Sequence, residues 1–141
     1  MTTQSEAKVS VRDFMAKHPQ VLGLNDTLDL AEDIMTMGRI RHLPVLNEGE
    51  LVGIVSQRDM FRSAAVTALG FAADTQKALV KTIRIKEIMT EKVVTISPDA
   101  TVKEAARIMI DKKIGCLPVV EGMKLIGIIT ETDILRYVVE H

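Results

Sequence analysis

The sequence predicts a mixed α/β (α+β) fold in which two similar units pack as a pseudo-two-fold pair. The first observation is an internal repeat: residues 11–62 match residues 85–136 without a gap. The second is the order of patterns in each copy, which alternates short apolar runs with amphipathic stretches of helical period. A repeat of this length exceeds the common solenoid periods and indicates a duplicated subdomain. Two such copies are expected to form a cleft lined by equivalent residues, which is the expected place of function.

Each copy is predicted to contain a strand, a helix, two strands and a final helix. A short amphipathic turn precedes the first β-leaning run, which covers residues 20–22 in the first copy and 93–96 in the second. A helix follows because Thr27 and Thr101, both capping residue types, stand just before apolar residues at three-to-four spacing. Gly38 is predicted to cap the end of the first of these helices.

Two apolar runs joined by a polar, glycine-containing loop come next and predict a β-hairpin in each copy. The hairpins cover residues 43–55 and 116–129, and the final helices begin after Ser56 and Thr130. The chain is predicted to divide into a disordered tail over residues 1–9, the first repeat over 10–62, a helical connector over 63–81 and the second repeat over 82–141. The alanine-rich connector is expected to extend the last helix of the first repeat.

The composition argues against several classes of function. The 18 basic and 19 acidic side chains give a formal charge of −1, so no positive excess is available for the phosphate backbone of a nucleic acid. The only cysteine, Cys116, allows no internal disulfide and suits a reducing compartment. No apolar run approaches the about 20 residues of a membrane span, and the first residues lack the apolar stretch of a signal peptide. We therefore expect a cytoplasmic protein with no nucleic-acid partner and no membrane insertion.

A repeated motif spans the last strand of each hairpin and the corner that follows it. Residues 53–59 and 127–133 read Gly-Ile-Val-Ser-Gln-Arg-Asp and Gly-Ile-Ile-Thr-Glu-Thr-Asp. Together with Leu-Pro-Val at 43–45 and 117–119, these motifs resemble the signature of the cystathionine β-synthase (CBS) domain. The resemblance covers nearly all of the chain outside the tail and the connector. It implies a tandem CBS pair, or Bateman module, which senses adenosine-containing ligands and regulates an attached or associated enzyme or transporter.

Two strand-to-helix corners are the candidate ligand sites. At Ser56 and Thr130 unpaired N–H groups and the positive end of a helix dipole converge, and both favour a phosphate. Asp59 and Asp133 follow one turn later, where a carboxylate can accept two hydrogen bonds from the cis-diol of a ribose, as the resemblance implies. The same spacing also forms a capping box, in which the carboxylate accepts from the N–H of the cap residue. The sequence leaves both interpretations open.

The resemblance assigns further residues to the adenine pocket of each copy. In the first copy these residues are Val21, Leu22 and Pro44, and in the second they are Thr95, Ile96 and Pro118. The hydroxyl of Thr95 fits the family pattern, whereas Val21 has none. Unequal sites are therefore expected.

The resemblance also assigns cations to the ligand's phosphates. Arg41 and His42 stand where the second copy has an uncharged glycine and cysteine. In the family this position reaches across the cleft, so both are expected to face the phosphates of a nucleotide whose ribose is held by Asp133. Arg58 and Thr132, inside the corner motifs, are further candidates.

No catalytic site is predicted. The three histidines are scattered and no metal-ligand spacing occurs, so we expect neither a metal nor a catalytic cofactor. His42 and Cys116 hold equivalent repeat positions, but apolar neighbours bury a thiol without activating it.

The resemblance favours a non-enzymatic sensor of AMP, ADP or ATP, with S-adenosylmethionine or NAD as other adenosine-type ligands. The alternative is a ligand-free dimeric scaffold. Exposed apolar faces are expected on the final helices, at Met60 with Phe61 and at Ile134 with Leu135, and they predict a homodimer of CBS pairs.

Overall fold

A computed structural model describes residues 9–68, 78 and 81–141 and has the mixed α/β class that the repeat predicts. The helices are α1 (Val11–Phe14), α2 (Leu28–Gly38), α3 (Gln57–Ala68), α4 (Val102–Lys112) and α5 (Glu131–Glu140), with a 3₁₀ turn at Ile85–Glu87. The strands are β1 (Ala16–Lys17), β2 (Leu22–Gly23), β3 (His42–Asn47), β4 (Glu50–Ser56), β5 (Cys116–Glu121) and β6 (Lys124–Thr130). The predicted hairpins and final helices are present in both copies. The first strand of the second copy is reduced to a bridge between Ile96 and Val119.

The chain forms two compact units whose limits differ from those of the sequence repeats. Unit 1 combines the described residues up to Pro19 with Val94–His141, and unit 2 is Gln20–Val93. Each unit therefore contains the hairpin and final helix of one repeat together with the opening segment of the other. The repeat limits at 10–62 and 82–141 stay a prediction. The predicted tail lies outside the described residues except for Val9, as does the predicted connector except for 63–68, 78 and 81.

In unit 1, strand β6 pairs antiparallel with β5 and with β1. Helix α1 is fixed to the start of α4, because the N–H of Val11 donates to the carbonyl of Ala100 at 2.8 Å. Apolar side chains from α1, α4, β5 and β6 meet in one core, whose buried members are Val11, Phe14, Ile96, Val102, Ala105, Met109, Leu117, Val119 and Ile129. The helical spacing of Val102, Ala105 and Met109 places all three on the face of α4 that the sequence pattern predicts.

In unit 2, strand β3 pairs parallel with β2 and antiparallel with β4. Ile54 of β4 also bridges Thr90. The buried members of this second core are Leu22, Leu28, Ala31, Met35, Leu43, Val45, Val55, Met60 and Ile85. Met60 is only 4% exposed, so its predicted place on an exposed helix face is wrong, whereas Phe61 is 77% exposed.

Two predicted helix caps differ from the structure. Gly38 is the last residue of α2, and Arg39 takes the left-handed conformation instead, with φ of 53°. The reason is the closure of the helix end: the N–H of Ile40 bonds to the carbonyl of Met35 at 3.1 Å, which fixes the left-handed residue directly before Ile40. Thr27 makes no side-chain cap, because its hydroxyl bonds to Asp29.

Candidate functional site

At the first corner, strand β4 ends at Ser56 and helix α3 begins at Gln57. The N–H of Ser56 donates to Oδ2 of Asp59 at 3.0 Å, and the N–H of Asp59 donates to Oγ of Ser56 at 3.0 Å. This is a complete capping box. Asp59 is half-buried, and its Oδ1 has no hydrogen-bond partner within the described part of the chain. The carboxylate therefore caps the helix with one oxygen and keeps the other available.

At the second corner, strand β6 ends at Thr130 and helix α5 begins at Glu131. The N–H and the hydroxyl of Thr130 donate to Oδ2 of Asp133 at 2.8 and 3.3 Å. Nη2 of Arg136 donates to Oδ1 of Asp133 at 3.0 Å. Asp133 is only 7% exposed, and both of its oxygens are engaged. The two aspartates thus hold equivalent positions with different acceptor capacity.

The guanidinium of Arg136 also contacts α1. Its Nη2 donates to the carbonyl of Phe14 at 3.0 Å, and the group lies 5.7 Å from the centre of the Phe14 ring. The ring of Tyr137 meets that of Phe14 edge-on at 5.4 Å and stacks on that of His141 at 4.8 Å. Arg136, whose side chain is 48% exposed, therefore bonds to a carboxylate and a carbonyl and lies against an aromatic cluster.

The charges near the two helix starts differ. At the first corner, Arg58 is exposed on the first turn of α3, and the N–H of Gln57 donates to the carbonyl of the exposed Arg41 at 2.7 Å. His42, next to Arg41, is half-buried.

At the second corner the equivalent positions are occupied by Thr132, which is exposed, and by Gly115 and Cys116. A Cβ on Gly115 would come within 2.5 Å of Oε1 of Glu131, so that carboxylate lies against the Gly115 backbone. Two arginines therefore lie near the start of α3, whereas the side chain against Gly115 is a carboxylate.

The residues predicted for the adenine pocket divide into buried and exposed members. Leu22 is 1% and Ile96 6% exposed, and both belong to the cores, whereas Val21 and Thr95 are exposed. Both main-chain groups of Ile96 are hydrogen-bonded: its N–H donates to the carbonyl of Pro118, and its carbonyl accepts from the N–H of Val120, each at 3.0 Å.

Pro44 and Pro118 are buried in the hairpins opposite Ile54 and Ile128. Each unit thus brings together the first-strand, second-strand and corner candidates of one copy.

Cys116 is unsuited to nucleophilic chemistry. Burial, and to a smaller extent the charge of Asp133, raises the pKa of its thiol from 9.0 to about 12. The thiol is therefore protonated at neutral pH. Over residues 9–68, 78 and 81–141, no group of three His, Cys, Asp or Glu side chains is placed to hold a metal ion. In the same residues, no helix has the length and apolar character needed to cross a membrane.

Sequence reasoning missed Arg136 and its aromatic neighbours. Arg136 was visible only as the repeat equivalent of Arg62. The signal lies in the positions that break the repeat: Phe14, Tyr137 and His141 correspond to Ile88, Ser63 and Thr67, none of which carries a ring.

Comparison with known proteins agrees with the motifs at both corners. The model of the CBS domain family matches residues 11–65 and 85–140. The chain belongs to the CBS domain family. A CBS domain-containing protein of Dictyostelium discoideum is 31% identical over 135 residues, which cover 94% of this chain and 93% of that protein.

Two CBS-pair structures were solved with adenosine compounds. CBSX2 in complex with AMP is 27% identical, with a TM-score of 0.77, and the match covers 94% of this chain and 97% of that chain. The CBS domain pair of MJ0100, in complex with 5′-methylthioadenosine and S-adenosyl-L-methionine, is 31% identical with a TM-score of 0.75 and the same coverage.

Other relatives are longer proteins. The chain spans 46% of the length of MJ1225 from Methanocaldococcus jannaschii, with 36% identity over 129 residues. It spans 24% of the homoserine O-acetyltransferase of Methanohalobium evestigatum, with 32% identity over 132 residues. The match therefore covers only part of that enzyme.

Proposed function

We propose that this protein is a regulatory module that binds an adenosine-containing ligand, AMP or ATP before S-adenosylmethionine or NAD, and signals to a partner protein. The observation that carries the proposal is the likeness, over nearly the whole chain, to a CBS pair solved with AMP. The two corners described above support it, because each joins the start of a helix of at least ten residues to an aspartate one turn later.

The Ser56 corner has the chemistry that a nucleotide needs. Oδ1 of Asp59 is available to accept from a ribose diol. The N–H groups of Ser56, Gln57 and Asp59 are already bonded within the protein, so the start of α3 attracts a phosphate through the positive end of its dipole. The exposed guanidinium of Arg58 adds a donor and a positive charge. The first corner is therefore proposed as the main site for a phosphorylated ligand.

The base is proposed to lie against the exposed residue of each first strand, Val21 or Thr95. Thr95 is exposed, whereas the N–H and carbonyl of Ile96 are already bonded to strand β5, so Thr95 is proposed as the residue of this segment that meets the base. Leu22, Ile96 and the two prolines support these residues from the core. That Arg41 and His42 meet the phosphates of a nucleotide held by Asp133 stays a prediction.

The proposal is tested by thermal unfolding with AMP, ATP, S-adenosylmethionine and NAD. At a hundredfold excess over its dissociation constant, a ligand that binds only the folded state stabilises it by about 2.7 kcal/mol. We expect AMP or ATP to raise the unfolding midpoint, and GMP and ribose 5-phosphate to serve as controls for the base and the sugar phosphate. No shift with any adenosine compound would favour the alternative, a ligand-free scaffold.

Self-association is proposed through helix α5. Leu135, Val138 and Val139 lie on one face at helical spacing and are 65%, 65% and 85% exposed. Such a face is costly to leave in water, and a second copy of the chain would cover it. Ile134, by contrast, packs partly against the core of unit 1.

Leu135→Glu is expected to convert the proposed homodimer to a monomer, because it places a charge in the centre of the apolar face. Light scattering after size-exclusion chromatography measures the mass, and Arg107→Glu on α4 serves as a charge control. A wild-type protein that is monomeric at tens of micromolar would contradict the proposal.

We propose that the ligand-dependent change of this module regulates an enzyme or transporter. The match to part of a homoserine O-acetyltransferase supports the idea that this type of module accompanies enzymes. A ligand changes such a partnership only through its difference in affinity between two states of the module.

A further inference from the structure

We propose that Arg136 restricts ligand binding at the Thr130 corner by occupying Asp133, and so makes the two corners unequal in affinity. The inference rests on the proposed function, because it concerns how the same carboxylates accept a ribose. It assigns a specificity-determining role to a residue outside the Ser/Thr-x-x-Asp motif.

The hydrogen bonds of Asp133 leave little acceptor capacity. Oδ2 already accepts two bonds from Thr130, and Oδ1 accepts one from Arg136. The side chain is also 90% buried, so a diol has little open approach. A ribose that uses both oxygens must displace the guanidinium and leave its charge without its anionic partner.

Displacement of Arg136 is opposed by its second set of contacts. The same Nη2 donates to the carbonyl of Phe14, and the ring of Phe14 lies under the guanidinium. Tyr137 and His141 pack around that ring in turn. Because these contacts already position the guanidinium, it loses less entropy when it bonds to Asp133, and this favours the ion pair over its displacement by a ribose.

The repeat supplies an internal comparison. Arg62 holds the equivalent position in unit 2 and is exposed, as Arg136 is, but in the described part of the chain it forms no ion pair with Asp59. Its neighbours lack the aromatic cluster, since Ile88 replaces Phe14 and Ser63 replaces Tyr137. The same motif is therefore restricted in one unit and open in the other.

The test uses the full chain with the first corner disabled. In Asp59→Ala, calorimetric titration with AMP reports the binding that is left at the Thr130 corner. We expect Asp59→Ala/Arg136→Met to bind AMP at least about tenfold more tightly than Asp59→Ala, because a hydrogen bond to a charged group no longer competes with the ribose. The unbranched methionine keeps the contact over the Phe14 ring.

Three further variants make the outcome specific. Asp59→Ala/Arg62→Met, the matched control, is expected to bind as Asp59→Ala does. Adding Asp133→Ala to the Arg136→Met double variant is expected to abolish the gain. Arg136→Gln, which keeps a donor for the Phe14 carbonyl, replaces Arg136→Met if thermal unfolding shows that the latter is not folded.

The results separate the inference from the proposed function. If wild type binds AMP but Arg136→Met gives no gain in the Asp59→Ala background, the inference is wrong and the sensor is unaffected. A loss of binding on Arg136→Met would also overturn it, because Arg136 would then be a ligand contact. If wild type binds none of AMP, 5′-methylthioadenosine and S-adenosylmethionine, the proposed sensor function and the proposed role of Arg136 both fail.

Discussion

Asp59→Ala is expected to weaken AMP binding by about a hundredfold, because two hydrogen bonds from a ribose to a charged acceptor are lost. Asp133→Ala is expected to weaken it by less than about tenfold, since Asp133 already accepts from Thr130 and Arg136. Isothermal titration of both variants against wild type measures the difference.

A control is needed because both alanine variants also remove a helix cap. Glu104→Ala removes the same kind of cap from α4, where the N–H of Thr101 donates to Oε2 of Glu104 at 3.2 Å. It should cost about 1 kcal/mol of stability and leave AMP affinity unchanged. A larger loss of affinity for Asp133→Ala than for Asp59→Ala would reverse the proposed order of the two corners.

Gly127→Ala is expected to destabilise the protein by about 3 kcal/mol, at the upper end for an added methyl group in a packed region. The new Cβ would come within 2.5 Å of Sδ of Met15 and 2.9 Å of the carbonyl oxygen of Ala16. The sulfur belongs to an adaptable side chain, but the oxygen is backbone, and Ala16 is paired with Ile128 in the sheet. The pairing of β1 with β6 must therefore shift.

Gly53→Ala is the matched variant in unit 2 and is expected to reduce the free energy of unfolding by less than Gly127→Ala does. Its Cβ would meet Sδ of Met89 at 2.5 Å, while the backbone oxygen of Thr90 stands at 3.1 Å. Met89→Ala should therefore relieve much of the effect of Gly53→Ala, whereas Met15→Ala should not rescue Gly127→Ala. Urea unfolding measures the stability of the two glycine variants, alone and combined with the methionine change. If Gly127→Ala is as stable as wild type, the packing around Gly127 is not as described.

The elements that local patterns define were predictable from the sequence. The hairpins follow from apolar runs joined by loops with glycine, and Glu48 and Gly49 take positive φ values of 51° and 83°, which suit a two-residue type I′ turn. The corner residues Ser56 and Asp59 bond as the capping-box spacing predicts.

The features that depend on distant parts of the chain were not predictable. Phe14 and Arg136 are 122 positions apart, so no local pattern links them. The left-handed Arg39 was missed for a different reason: glycine has the lower intrinsic cost in that conformation, but the return of Ile40 to the core decides which residue adopts it.

The grouping of chain segments has a consequence for folding during synthesis on the ribosome. Unit 2 is one continuous stretch, so the strands and helices described for it can all come together once Val93 has left the ribosome. Unit 1 needs Val11 and Phe14 from the beginning of the chain and Leu117 and Ile129 from near its end. These contacts of high sequence separation close a long loop and are expected to form late. While the middle of the protein is already folding, Val11 and Phe14 of the nascent chain thus remain without the apolar residues against which they later pack.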